Sequence, residues 1–558
     1  MGSYINFKKS NCKDCYKCIR NCPVKSIRFS SHQAQIIEDE CILCGKCFVS
    51  CPQNAKEIRN DLPKVINAIK EGRECYASIA PSYVANYEGC SIKSLEKALL
   101  SLGFKGVSET ALGAAVVKSC YDEMVNLEKQ DVIISTCCHT VNLLIEKHFK
   151  EAIPYMASIK SPMQAHCAQI KEDHHNAYTV FIGPCISKKA EAEAYPGDVD
   201  AVLTFEELSE WMNKEGITLE NIPDDSFKGK TRLFPTTGGI LKSMLCENKD
   251  YTYVAIDGVE NCINALKDIL SGKVHKCFIE MSACVGSCIN GPCIAKLHHN
   301  AVSDYIAINK SASSVDFDVK KKTYDELYQE KKPYFVHHIE PSEVEIQDIL
   351  RRMNKNKKDN ELNCGSCGYN TCREKAIAVY QGKADMTMCL PYLKEKAESF
   401  SDDIIYNTPN GVIVLNDNFE IQLINQAACN IVNVKNSKDL IGMPVVQILD
   451  PDDYIMVSSR KKSIINKRVY LSEYGRTIEE SIIYNDKFHI MIGFLRDITE
   501  SENQKNQKEE ISRQTIEITD KVIQKQMRVV QEIASLLGET TAETKVALTK
   551  LKESLKDD

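Results

Sequence analysis

The pattern C-x2-C-x2-C-x3-C-P occurs twice in residues 1–60. It appears as Cys12, Cys15, Cys18, Cys22 and Pro23, then as Cys41, Cys44, Cys47, Cys51 and Pro52, a constant offset of 29 residues. Thiols this dense do not make an ordinary apolar core; they impose a small fold wrapped round metal. Three closely spaced thiolates grip one iron–sulfur cubane and the fourth reaches its neighbour. The spacing therefore assigns Cys12, Cys15, Cys18 and Cys51 to one [4Fe–4S] cluster and Cys41, Cys44, Cys47 and Cys22 to a second. Structural zinc, the alternative, is usually held by two C-x2-C pairs. Two clusters in so small a module form a wire, so this end exchanges electrons with something.

The chain has 558 residues, 43% of them apolar, enough for several domains with packed cores. Its net charge of −7 is small for that length and points to neither nucleic acid nor a membrane surface. No cleavable leader, twin-arginine signal or bilayer-spanning run is expected. With 26 cysteines and no secretion signal, the composition predicts metal sites in a reducing, anaerobic cytoplasm rather than disulfides.

Beyond the repeat, residues 61–310 alternate apolar strand-like runs with helical patterns, as in α/β layers, within a domain expected over 61–345. Three of these runs, 131–136, 178–183 and 276–281, are followed by Cys138, by Cys185, and by Cys284 with Cys288. Open α/β sheets bind ligands beyond the carboxyl ends of their strands. Soft sulfur ligands at three strand ends predict one iron–sulfur or related site in a buried cleft. A charged stretch, 351–360, precedes another set, Cys364, Cys367, Cys372 and Cys389, with Gly365 and Gly368 between the first ligands. Zinc competes on spacing alone. The set resembles the small iron–sulfur domain of corrinoid iron–sulfur proteins and Rnf-type subunits, which implies a third [4Fe–4S] cluster in residues 346–395. From its order along the chain, that cluster is expected to couple the preceding domain to the C-terminal third.

The loops 135–138, 183–191 and 280–288 together resemble the three signature loops of [FeFe]-hydrogenases, and the resemblance extends over roughly residues 1–310. Pro81 and Ser82, Lys160 to Pro162, and Gly238 with Gly239 match as well. The resemblance implies that Cys138, Cys185, Cys284 and Cys288 hold the H-cluster. This is a [4Fe–4S] cluster bridged, here through Cys288, to a di-iron subsite with CO, cyanide and dithiolate ligands. It further implies that Lys188 binds a cyanide by a charge-assisted hydrogen bond. Cys137 would face the di-iron subsite as proton donor, and Pro81, Ser82, Pro184 and Ser282 would line it.

The departures from that pattern carry their own expectations. His139 and Val141 replace the usual proline and tryptophan, while Gly183 and Ser282 replace two methionines, predicting a roomier and more polar pocket. The family's outward proton chain uses two glutamates on a helix after a threonine. Here the stretch after Thr110 has no carboxylate before Asp122, although Ser161, another member of the chain, is kept. Glu280 and Glu191 are the carboxylates left for another route; Glu280 alternatively anchors a loop. A broken relay slows proton delivery, so low turnover is expected.

Residues 396–500 resemble a PAS domain, from the strand at 411–415 to the exit Asp497-Ile498-Thr499. His489 is expected to pack within a strand and Cys429 to lie in the core. Residues 501–558 predict a dimerising or signalling helix. The pairs Val522-Ile523, Val529-Val530 and Leu536-Leu537 recur every seven residues, then Gly538 breaks the helix and a Thr540–Glu543 capping box restarts it.

The fold expected is multidomain α/β: a dicluster ferredoxin module, a hydrogenase domain, a small Fe–S domain, a PAS domain and a helical hairpin or coiled coil. The function implied is a cytoplasmic sensory hydrogenase that handles H2 and protons slowly. Its expected partners are a redox protein such as ferredoxin, a signalling kinase or phosphatase, maturation proteins and a second copy of itself. A ferredoxin-linked working hydrogenase and a non-catalytic Fe–S scaffold are the alternatives.

Overall fold

The computed structural model describes residues 3–8, 11–30, 33–223, 228–294, 301–336, 339–537 and 542–554. The chain divides into two compact units, Met1–Tyr392 and Leu393–Asp558.

In the first unit the cysteine repeat folds as two short strand pairs, Ile5–Phe7 with Lys56–Ile58 and Ile27–Ser30 with Gln33–Ile36, plus helices Lys17–Asn21 and Lys46–Val49. Both helices start from a left-handed residue, Tyr16 (φ 52°) in one repeat and Gly45 (φ 72°) in the other. The difference has a cause: a Cβ on Gly45 would lie 2.5 Å from Pro292, where the module meets the next domain. Tyr16 has room for a ring, which packs edge-on against Phe29.

The next domain contains two parallel sheets, not one. The first runs Gly106–Glu109, Cys75–Ile79, Tyr178–Gly183, Ala201–Thr204; the second runs Thr252–Asp257, Cys277–Ser282, Val132–Ile134. The strands before Cys138 and Cys284 are neighbours in the smaller sheet, whereas the strand before Cys185 lies in the larger. The cleft therefore lies where two sheets present their carboxyl ends to each other.

Residues of the Cys364–Cys389 region share a core with the cysteine repeat: Cys367, Tyr369 and Met388 pack in the same buried cluster as Ile19 and Cys22. Arg20 donates to the Ser366 carbonyl (3.1 Å), Lys25 to that of Gly368 (3.0 Å), and the Phe29 N–H to that of Lys383 (2.8 Å).

The second unit holds a five-stranded antiparallel sheet in the order Ile421–Ile424, Gly411–Asn416, Ile490–Asp497, Arg476–Asn485, Ile464–Leu471. Asn425 ties its first turn together, accepting from the N–H groups of Val412 and Ala428 and donating to the carbonyls of Ile405 and Asn410. Cys429 and Tyr454 are fully buried in its core. His489 does not pack in a strand; it sits in the turn before Ile490 with φ 52°, exposed beside Tyr484 and Asp417. The turn forms because Asn485 accepts from the N–H groups of Lys487 and Phe488. Thr499 opens the long helix Thr499–Leu537, with its hydroxyl donating to Asp497 and accepting the Thr477 N–H. Lys552, on helix Ala542–Ser554, pairs with Asp520 at 3.0 Å. Ile511, Ile518, Val522 and Val529 remain exposed. Gly538 and Thr540 lie outside the described residues.

Candidate active site and metal centres

The cleft is built from loops that leave the two sheets. Thr136 is pinned twice: its N–H donates to the Tyr121 hydroxyl (3.0 Å) and its hydroxyl to the Ala157 carbonyl (2.8 Å). Cys138 then caps the helix His139–His148, while Cys137 points its thiol at the Tyr121 hydroxyl, 3.3 Å away. Burial pushes the Cys137 thiol up to about 12, so it stays protonated. Cys185 and Lys188 flank the start of helix Ser187–Ala194. Lys188 donates to Glu191 (2.5 Å) and to the Cys137 carbonyl (3.1 Å), leaving one ammonium N–H for another acceptor. Its neighbour Lys189 does something else: fully buried, it pairs with Glu207 (2.9 Å) and Asp61 (3.2 Å) and locks the fold.

Cys137, Cys138, Cys185, Lys188, Cys288, Pro81, Ser82, Pro184, Ser282 and Glu280 all line one cleft of about 760 Å³, its open mouth included. Cys284 lies among the same thiols and also close to Cys44 of the repeat. The Ser82 hydroxyl is buried there without a protein partner, an orphan suited to a bound group. Ser161, at the start of helix Pro162–Asp173, is buried beside Glu191. The Glu280 carboxylate accepts the N–H groups of Gly238 (2.9 Å), Ile240 (3.0 Å) and Leu241 (3.1 Å), so it anchors that turn even though burial raises its pKa to about 7.

Where the sequence predicts a more polar pocket, the lining is largely apolar. A Cβ on Gly183 would lie 2.8 Å from the ring of Phe181, which occupies the space a longer side chain at 183 would take. With Met163, Met281, Phe234 and Ile240 also on the lining, the cleft is largely apolar. Sequence reading missed Phe181, although its place two residues before Gly183, on the same face of the strand, was the available signal.

Two of the other cysteine sets also surround cavities. Cys12, Cys15, Cys18 and Cys51 line one with Tyr16, Phe29 and Lys56. The set of Cys364, Cys367, Cys372 and Cys389 lines another with two buried lysines, Lys355 and Lys375. Cys22 lies near Cys41, Cys44 and Cys47, all pushed up by burial. Among the described residues no three His, Cys, Asp or Glu groups converge closely enough for a single ion. Cysteines standing round a cavity fit a multi-iron cluster; a lone zinc needs its sulfurs within about 2.3 Å of one point. The Cys364 set docks on the cysteine repeat, where Lys25 and Tyr369 feel both Cys22 and Cys367.

Residues 73–292 match the family described as iron only hydrogenase large subunit, C-terminal domain; residues 34–57 match a 4Fe-4S binding domain, and residues 360–391 a putative Fe-S cluster family. The chain is 26% identical over 360 residues to the periplasmic [Fe] hydrogenase large subunit of Nitratidesulfovibrio vulgaris, covering 52% of this chain and 85% of that one. It is 24% identical to iron hydrogenase 1 of Clostridium pasteurianum, over 51% of this chain and 64% of the relative. It is 22% identical to protein NAR1 of Arabidopsis thaliana, over 45% and 71%. A solved [FeFe]-hydrogenase, HydA(deltaEFG), superposes with TM-score 0.38 at 17% identity, covering 48% of this chain and 91% of that one. No helix among the described residues is long and apolar enough to cross a membrane. The central part of the first unit thus matches an iron-only hydrogenase large-subunit domain, and the match to a 4Fe-4S binding domain precedes it.

Proposed function

We propose that the chain is a sensory [FeFe]-hydrogenase of low turnover, carrying an H-cluster and three [4Fe–4S] clusters. The observation that carries this reading is the joint presence, in one cleft with the cysteines, of the Cys137 thiol and of Lys188, whose ammonium keeps one N–H beyond its bonds to Glu191 and the Cys137 carbonyl. When bound, the H-cluster supplies the interconversion of H2 with protons and electrons. Cys138, Cys185, Cys284 and Cys288 would hold it, with Cys288 bridging. Lys188 orients an anionic ligand from a partly desolvated position, and Glu191 fixes the ammonium. Cys137 holds a proton at the cleft wall, and the apolar lining keeps bulk water out. The set Cys22, Cys41, Cys44 and Cys47 lies beside both Cys284 and Cys367, which suits it to connect the cleft with the Cys364 set.

The strand order of the second unit agrees with a PAS domain. Its exposed apolar helix face suits a homodimer or a signalling kinase or phosphatase. A cytoplasmic site, a ferredoxin-like redox partner and maturation proteins complete the proposal. The second reading is a cytosolic Fe–S assembly role, favoured by the likeness to proteins of that name. Against it stands Lys188, which a scaffold lacking di-iron does not need.

Infrared spectroscopy of protein produced anaerobically with the maturation machinery tests the choice. CO and cyanide bands that change under H2 are expected. Their absence from protein with full cubane content would leave the assembly role, and turnover matching bulk hydrogen producers would remove the sensory one.

A further inference from the structure

The helix Ala111–Asn126, where the family's relay carboxylates would stand, offers none to the cleft; its Asp122 instead accepts the Leu245 N–H at 2.9 Å. Buried charge is concentrated on the opposite side. Helices His139–His148 and Ser187–Ala194, with the segment 329–334 laid over them, enclose Glu191, Lys331 and Glu146, all buried. Lys331 donates to Gln329 (2.7 Å), which donates to Gln164 (2.6 Å), and its ammonium lies 4.9 Å from the Tyr195 ring centre.

This region also gathers orphaned polar atoms. Glu146 Oε1, Asn142 Oδ1, Gln164 Nε2 and both ring nitrogens of His139 are buried with no protein partner. Buried polar groups are satisfied in the great majority of cases, and where protein does not do it ordered water does. At the outer end, Glu146, Tyr195, Gln329 and Tyr334 line a further cavity, and His139 lines another with Lys147 and Tyr334.

We infer that a water-containing polar channel runs from the surface at Glu146, past Lys331 and Glu191, to the Cys137–Lys188 end of the cleft, and that it carries protons in place of the missing carboxylates. A proton enters on a Glu146 oxygen from outer water, passes through Lys331 and channel water to Glu191, and leaves toward the cleft. Each O–H or N–H bond that forms is broken again at the next transfer, so every group returns to its starting state and no electron moves. Burial raises Glu146 to about 7 and lowers Lys331 to about 8, so both exchange protons near neutrality. The groups acting on them are Glu191, Lys147, Lys188 and Cys137, with Tyr195 and Tyr334 at the mouth.

The inference rests on the hydrogenase reading, so its test separates the two. In the full chain, with or without the di-iron subsite, the infrared difference between the native protein and Glu146→Gln, in which the buried Glu280 and Glu480 carboxyls cancel, should show a protonated-carboxyl band titrating near neutral pH. That band should move in pH in Lys331→Met, and a high-resolution structure should show water bonded to His139 and Glu146. In loaded protein, Glu146→Gln should lower turnover by about tenfold or more, with a changed pH profile and unchanged CO and cyanide bands, and Glu146→Asp should restore part of it. A dry channel, no such carboxyl band, or full turnover with an unaltered pH profile in Glu146→Gln would overturn the channel. Lack of CO and cyanide bands in the native protein would overturn the hydrogenase reading instead, and the carboxyl titration and the ordered water would still decide the channel.

Discussion

The two units bury polar groups for different ends. The first surrounds cavities with thiols and sets charge beside them, as at Lys188–Glu191, Lys355 and Lys375. The second closes a continuous apolar core round Ile413, Leu415, Ile482 and Met491, with Glu480 as its buried carboxylate. A core built from grouped thiols draws its stability from what those thiols bind, whereas a continuous apolar core draws it from its own packing. Stability in the first unit should depend on its occupants; in the second it should depend on packing and on one titrating group.

Iron removal under reducing conditions should therefore have the largest effect. Calorimetry of the full chain should resolve two transitions, the first falling by roughly 10 °C or more on chelation and the second staying fixed. Equal losses in both transitions would break the contrast. Next in size is Lys189→Met. Glu207 and Asp61 would keep their charges in a buried place, a loss of about 3–5 kcal/mol confined to the first transition. A variant as stable as the native chain would mean that this pair is not the lock its geometry implies.

How legible this was depends on the scale of the signal. Cysteine spacing fixed which thiols gather, because ligand chemistry leaves few ways to wrap a cubane, and the cross-over of Cys51 to the Cys12 cavity followed from it. Lys188 was visible through its place three residues after Cys185. The division into two sheets was not, since a buried parallel strand reads alike in either. Docking of the Cys364 region on the helix Lys17–Asn21 was hidden because order along a chain carries no distance. Glu146 and Lys331 look like solvated charges in a helix and a loop, and only the fold, by laying 329–334 across two helices, buries them.

Glu480 gives a sharper test inside the second unit. Burial raises its pKa to about 7, with Asp453 and Asp450 adding to the rise and Tyr454 and Lys467 opposing it. The unfolded chain ionises at the ordinary value, lower than the folded one. Stability is therefore undiminished below about pH 4.5 and falls as pH rises toward 7, by about 3 kcal/mol in all. Glu480→Gln should raise the second transition at pH 8 and leave it nearly unchanged at pH 4.5. A pH-independent gain would mean that shape, not charge, limits that core.

The smallest effect expected returns to the first unit and to its internal repeat. Tyr16 and Gly45 occupy equivalent, left-handed positions at the starts of matching helices. Gly45→Ala adds a Cβ at positive φ, which costs about 1 kcal/mol. That Cβ would also lie 2.5 Å from the rigid ring of Pro292, which must then move. Overpacking by this single carbon adds about 1 kcal/mol, the low end for such insertions. Tyr16→Gly relieves backbone strain but forfeits the packing on Phe29, so the two terms oppose and the net change should be smaller. The cost of Gly45→Ala should fall on the contact between the repeat and the cleft domain, and be read as faster proteolysis there at unchanged cluster content. If both substitutions prove equally mild, the glycine answers only to its own turn, and the close approach of Cys44 to Cys284 does not depend on it.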